Sequence, residues 1–274
     1  MNDQEVRKQI QEDLQDAGAG RGRILYLEGK TDVEILLALV SARDVQETQR
    51  GVLHDGVLLR ELGGSRPVTR YIKLAQQHDI RGIYGIIDGD GDPLGVLAAE
   101  FDAPHTGPRF RWKGYCIENM LVRASWPSAW GEPPDWNVEL ARYAPYVVIN
   151  HLGATLRSDY LKKFGLDQRQ NPTIAQQLKS VDEFLEILRR AERELPDFAL
   201  ATKFRQELDR ITARLEQGLD EAHTLVDGKW LVEHFAPGHT RRTQAQCRGE
   251  WTAHLRSAGG DPEILAWWHR AIAF

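Results

Sequence analysis

The sequence predicts an α/β protein: a mostly parallel sheet with flanking helices, followed by a C-terminal α-helical region. Three observations predict it. Short, nearly continuous apolar runs at 24–27, 57–62 and 83–87 have the texture of strands buried on both faces. The first two of these runs lead into amphipathic helical patterns, the alternation that builds parallel sheets. From about residue 125 the pattern turns helical and no further strand is evident.

Residues 1–20 read as a polar helix that ends at Ala17-Gly18-Ala19-Gly20. Ile24–Leu27 is the first strand, closed by Glu28 and Gly29. Thr31 and Glu34 have capping-box spacing ahead of the apolar series Val33, Ile35, Leu36, Leu37, Leu39 and Val40, so a helix begins there. A second strand spans Val57–Leu62 and stops at Gly63-Gly64-Ser65. The next helix runs from about Pro67 to Gln77, with Val68, Tyr71, Ile72 and Ala75 on one face. The third strand, Ile83–Ile87, ends in Asp88-Gly89-Asp90-Gly91-Asp92-Pro93, and a fourth is expected over Phe110–Ile117. The segment Trp126–Trp136, rich in Pro and Trp, reads as a linker or rigid elbow. Helices are then expected near 150–163, 173–194, 198–222, 226–235 and 261–272. This gives two domains, 1–124 α/β and 125–274 helical, the latter for partner contact or oligomerisation.

Composition narrows the class. The 274 residues suffice for one large or two modest cores. There is no run of 18 apolar residues and no apolar leader segment, so neither a membrane span nor a signal peptide is expected. Two cysteines, Cys116 and Cys247, cannot form a disulfide framework, and a cytoplasmic location is expected. With 35 basic and 40 acidic residues the net charge is −5, so any nucleic-acid contact must come from a local basic patch or from a partner chain. Arg109, Arg111 and Lys113 alternate along the fourth strand and offer one such patch; a solvated edge strand is the alternative. The tryptophans, including Trp267-Trp268, read as helix-packing anchors or an interface.

The chemistry concentrates in carboxylates at strand ends. In open α/β sheets, active groups gather beyond the carboxyl ends of the strands. Glu28 ends the first strand, and Asp88 and Asp90 end the third. If those strands are neighbours, the carboxylates converge, repel one another and call for a hard cation such as Mg²⁺ or Mn²⁺. The plain alternative for Asp88-Gly-Asp-Gly-Asp is a solvated turn. A dinucleotide fingerprint is excluded, because Asp90 and Asp92 would oppose a pyrophosphate. An EF-hand is excluded by Pro93 and Ala99 at positions that need Gly and Glu. A haloacid-dehalogenase-like phosphatase remains open, with Asp88 as nucleophile and Asp90 as acid, although its motif belongs on a first strand. No phosphate-binding Gly-x-x-x-x-Gly-Lys-Ser/Thr loop is present.

Tyr26-Leu27-Glu28-Gly29-Lys30-Thr31-Asp32, Ile86-Ile87-Asp88-Gly89-Asp90, Tyr115-Cys116-Ile117-Glu118-Asn119 and Asp227-Gly228-Lys229 together resemble the DUF4435 branch of TOPRIM proteins. That group is akin to nucleases of the overcoming-lysogenization-defect (OLD) type. The resemblance covers about 24–122 well and the tail weakly. It implies a TOPRIM-like (Rossmann-like) sheet and a metal-dependent nuclease. It also implies the toxic effector of an anti-phage system of the PARIS type, held by an ABC- or SMC-like ATPase. By the same resemblance Glu28 is a general acid/base or metal carboxylate, and Asp88 and Asp90 form the metal-binding pair. Glu118 is a further ligand or orients one, and Lys30 is a phosphate contact. Asp92 is an extra metal ligand beyond the pair the motif needs, and Asp32 favours its helix N-terminus. The substrate would be tRNA, another RNA or DNA, and a homodimer is possible. A non-catalytic TOPRIM-like module that docks on an ATPase is the contrasting expectation.

Overall fold

The computed structural model describes residues 2–18, 22–89, 108–112, 114–124, 126–140, 144–145, 147–148, 181–194, 199–217 and 225–272. The expected helix at 150–163, the start of the one at 173–194, Asp90, Asp92 and Lys113 lie outside the described residues. Two compact units are present: residues 1–132 together with 226–274, and residues 133–225.

The first unit is built on a six-stranded sheet. Helix α1 (Asp3–Asp16) precedes β1 (Arg23–Leu27), α2 (Lys30–Leu39), β2 (Gln46–Glu47), β3 (Val52–His54), β4 (Val57–Glu61), α3 (Ser65–Gln77), β5 (Ile83–Ile87) and β6 (Arg109–Arg111). The strand order is β2-β3-β4-β1-β5-β6. The four strands β4, β1, β5 and β6 are parallel, and β2 and β3 extend the β4 edge antiparallel.

Each central strand is apolar because both of its faces are covered. Ile24 and Tyr26 point into a cluster with Val6 and Ile10 of α1 and Val68, Tyr71 and Ile72 of α3. The alternate residues Leu25 and Leu27 are equally buried, on the side where α2 packs on β1 and β4. Gly85, in the middle of β5, sets how closely α3 approaches. A Cβ there would stand 2.7 Å from Val68 Cγ1 and 3.0 Å from Ile72 Cγ1.

A buried ionic knot ties α1 to the sheet. Asp13 is fully buried, accepts from the Tyr26 hydroxyl at 2.7 Å, and pairs with Arg60 and Arg50. Tyr26 and Arg60 are register partners on β1 and β4, so this one carboxylate fastens two neighbouring strands to one helix.

Several expectations are corrected. Helix α2 begins one residue before Thr31. Asp32, rather than Glu34, closes its first turn by accepting the Gly29 N–H at 3.0 Å. The fourth strand stops at Arg111. Tyr115–Ile117 instead turn into α4 (Glu118–Ala124), because the Asn119 amide oxygen accepts the Cys116 N–H at 2.9 Å. The division at 124/125 gives way to one in which residues 226–274 belong with the α/β unit. This segment holds α7 (Gly228–Trp230, continued by a π-helical turn Leu231–Phe235 into Ala236–Thr240), α8 (Gln244–Ser257) and α9 (Pro262–Trp267, then a π-helical turn Trp268–Ile272). Trp267 packs edge-on against Phe110 of β6, Trp268 Nε1 donates to Asp55 at 3.2 Å, and Arg23 donates to the Ile272 carbonyl at 2.6 Å. Trp251, Trp267 and Trp268 are fully buried within the unit, so they are core anchors and do not offer a partner surface. Trp126 and Trp130 also pack on Trp251, which holds the start of the expected elbow to the first unit. In the second unit α5 (Val181–Glu194) and α6 (Leu200–Leu215) pack against each other. Among the described residues no helix is long and apolar enough to cross a membrane.

Asp13→Ala takes from Arg60 its carboxylate partner and from Tyr26 its acceptor, while Arg50 keeps Glu12, and should cost about 3 kcal/mol. Tyr26→Phe removes one hydrogen bond and should cost about 1 kcal/mol. Urea denaturation of both variants checks the ranking; equal losses would contradict the hub role of Asp13.

Candidate functional site

Strands β1 and β5 are adjacent and parallel at the centre of the sheet, with Tyr26 opposite Gly85. Their carboxyl ends therefore lie side by side. Glu28, one residue past β1, uses Oε1 to accept the backbone N–H of Asp88, one residue past β5, at 2.9 Å. The Glu28 carboxylate is thus tied to the Asp88 backbone, which sets the two strand ends side by side.

The rest of the site arrives from β6 and from the distant tail. The turn after β6 delivers Glu118, which is 1% exposed, to the first position of α4. Asn119 then joins two chain segments by three hydrogen bonds. Its amide oxygen accepts from Cys116 N at 2.9 Å and Gly228 N at 3.2 Å, and its Nδ2 donates to the Val226 carbonyl at 2.9 Å. Asp227 caps α7 by accepting the Lys229 N–H at 2.9 Å. Gly228 is required by proximity: a Cβ would stand 2.4 Å from the Asn119 backbone nitrogen. This docking carries Lys229 to the carboxylates, where its ammonium donates to Asp88 Oδ2 at 3.1 Å.

The electrostatics are those of a site short of positive charge. Burial pushes the Asp88 carboxyl up to about 8; Asp32 and Glu28 add to this and Lys229 opposes it. Burial also raises the Glu118 carboxyl, opposed by Lys229 and the Cys116 thiol, with Asp32 adding to the rise. Asp32, 4% exposed, is raised by burial and held back by backbone N–H bonds and Lys229. For Lys229 burial works downward, but Asp88, Cys116 and Glu118 outweigh it and the net shift is up, so the ammonium persists. Among the described residues, the Lys229 ammonium acts on the carboxylates of Asp88, Glu118 and Asp32. Among the described residues, the buried oxygens Asp88 Oδ1 and Glu118 Oε2 have no hydrogen-bond partner.

Cys116 lies within this network but is not a nucleophile. Burial first, then Glu118, Asp227 and Asp88, hold its pKa well above the ordinary thiol value, and its Sγ faces Asn119 Oδ1 at 3.3 Å. Lys30 projects elsewhere. It is exposed and lines a groove of about 760 Å³ with Glu34, Arg50 and Glu61, so the ammonium on Asp88 belongs to Lys229. On the β6 edge Arg109 is exposed and Arg111 half-buried.

The donor chemistry fits a hard divalent cation. All candidate ligands are carboxylate oxygens, two of those oxygens are buried without partners, and the cluster carries excess negative charge. Among the described residues no three His, Cys, Asp or Glu side chains already stand at metal-holding positions. The sequence had flagged Asp227-Gly228-Lys229 without giving it a role; Asp32 and Asn119 had only local signals. No known protein family, curated protein or solved structure matches this chain.

Asp88 carries a raised pKa in the folded state, so folding takes up a proton there. Its contribution to stability is full below pH ~4 and is lost as pH rises toward 8. In EDTA, Asp88→Asn should therefore melt higher than wild type at pH 8, each kcal/mol being worth roughly 2–4 °C, and the gap should close by pH 5. Melts across pH check the sign. Gly228→Ala should lower the melting temperature and displace Lys229; an unchanged melt would contradict the tight docking of Gly228 on Asn119.

Proposed function

We propose that this chain is a divalent-metal-dependent nuclease that hydrolyses phosphodiester bonds of nucleic acid. The observation that carries the reading is the carboxylate cluster of half-buried Glu28 with buried Asp32, Asp88 and Glu118, assembled where two parallel strands end, with two of its buried oxygens unpartnered among the described residues. Mg²⁺ or Mn²⁺ held by Asp88 and Glu118 would polarise the scissile phosphate and lower the pKa of a bound water. Glu28 orients Asp88 through the N–H it accepts and supplies a carboxylate for proton transfer. Lys229 contributes positive charge beside the reacting phosphate. Asn119, Asp227 and Gly228 position Lys229.

The resemblance to the DUF4435 branch extends this reading. The nuclease would be the toxic effector of an anti-phage system, governed by an ABC- or SMC-like ATPase and acting on tRNA, another RNA or DNA in the cytoplasm.

Two other readings are disfavoured. In a haloacid-dehalogenase-like phosphatase Asp88 would be the nucleophile, yet that motif belongs on a first strand and Asp88 follows β5, and the Glu28–Asp88 bond has no task there. In a docking module, burying two unpartnered carboxylate oxygens would cost stability with no return.

Glu28→Gln and Asp88→Asn should each lower Mg²⁺-dependent cleavage at least ~100-fold while the protein stays folded. Sequencing of RNA and DNA ends after induction, beside a thermal melt, checks both the loss and the substrate. A folded Glu28→Gln variant with near wild-type cleavage or toxicity would overturn the nuclease mechanism. Retained phosphatase activity in that variant, with its loss in Asp88→Asn, would favour the phosphatase.

A further inference from the structure

We propose that Lys229 is a place-holding cation: in the metal-free chain its ammonium neutralises Asp88, and it must withdraw from that carboxylate for a divalent cation to load. The inference rests on the reading of Asp88 as a metal-binding carboxylate and adds a control on that same site.

The two partners differ in freedom. The Asp88 side chain is 7% exposed and that of Lys229 is 46% exposed. Asp88 is fixed by the Glu28 bond to its own backbone N–H. The Lys229 backbone is fixed by the Asp227 cap and by the Gly228–Asn119 contact, but its long stem reaches the site from an exposed helix end. The lysine side chain is therefore the partner able to move. Its ammonium takes Asp88 Oδ2 at 3.1 Å and leaves Oδ1 buried and unpartnered. A dication on Oδ1 would face the ammonium across one carboxylate, a few ångströms away. Like charges at that separation repel strongly in a poorly solvated site, so the two cations compete even when they use different oxygens.

The location of this competitor in the tail gives it regulatory reach. Lys229 is 141 residues from Asp88 in sequence and is delivered by the docking of Asp227-Gly228 on Asn119. A change that shifts α7 would move the ammonium and alter metal affinity without touching any carboxylate.

The test is Mn²⁺ binding by the purified full chain without nucleic acid, followed by electron paramagnetic resonance of the free ion. Wild type, Lys229→Gln, Lys229→Arg and Asp88→Asn are compared, each with a thermal melt. Lys229→Gln should bind Mn²⁺ at least roughly tenfold more tightly than wild type, Lys229→Arg no more tightly, and Asp88→Asn should lose the site. Lys229→Met, which keeps the apolar stem, repeats the measurement independently of how glutamine fits. If Lys229→Gln and Lys229→Met bind no better than wild type while Asp88→Asn still abolishes binding, the place-holder role is overturned and the metal reading stands. If no variant shows saturable binding, the metal reading falls and this inference falls with it.

Discussion

The constraint on which the site depends is the burial of charge: Asp32, Asp88 and Glu118 are brought out of water around the Lys229 ammonium, with half-buried Glu28 beside Asp88. Each carboxylate is costly to bury alone, and their mutual repulsion adds to that cost. The raised Asp88 and Glu118 carboxyls record it. Such an arrangement persists only where surrounding structure enforces it, and here the enforcement is visible. Parallel pairing of β1 with β5 fixes Glu28 beside Asp88. The Asn119 side chain holds Glu118 and Lys229 in place by bonding the Cys116 backbone and the Val226–Gly228 backbone at once.

The sheet carries a second charged device, with the reverse accounting. Asp13 is buried as fully as any residue in the cluster, yet two guanidiniums and a phenol satisfy it. That knot clamps Tyr26 two residues before Glu28 and its register partner Arg60 on β4. A fully paired buried carboxylate fastens the frame, and just past the end of β1 a set with two unpartnered buried oxygens supports the proposed cation site. The contrast between them is an argument for function, because the same fold shows that it can satisfy a buried acid when nothing else is asked of it.

The central strands were legible because burial on both faces writes continuous apolar runs, and β5 matches its expected limits at Ile83–Ile87. Strands β2 and β3 were not, since they are two and three residues long and β2 is exposed and polar. The Tyr115–Ile117 run reads locally as strand, and only the side chain of Asn119 turns it into a helix start. The tail was misjudged for a similar reason. Its helical periodicity is plain, but nothing local says that Trp267 meets Phe110 or that Trp268 meets Asp55. Glu28 and Asp88 could be picked out because each directly follows a strand. Lys229 could not be given a task, because its meaning depends on a residue 141 positions away.

The most direct test of the account is crystallographic: crystals grown in Mn²⁺, with diffraction recorded at the manganese absorption edge. The account predicts an anomalous peak within about 2.0–2.6 Å of an Asp88 carboxylate oxygen, with Glu118 in the same coordination sphere and the Lys229 ammonium withdrawn from Asp88 Oδ2. Saturating Mn²⁺ with no peak at the carboxylate cluster, and Lys229 still on Asp88, would contradict it.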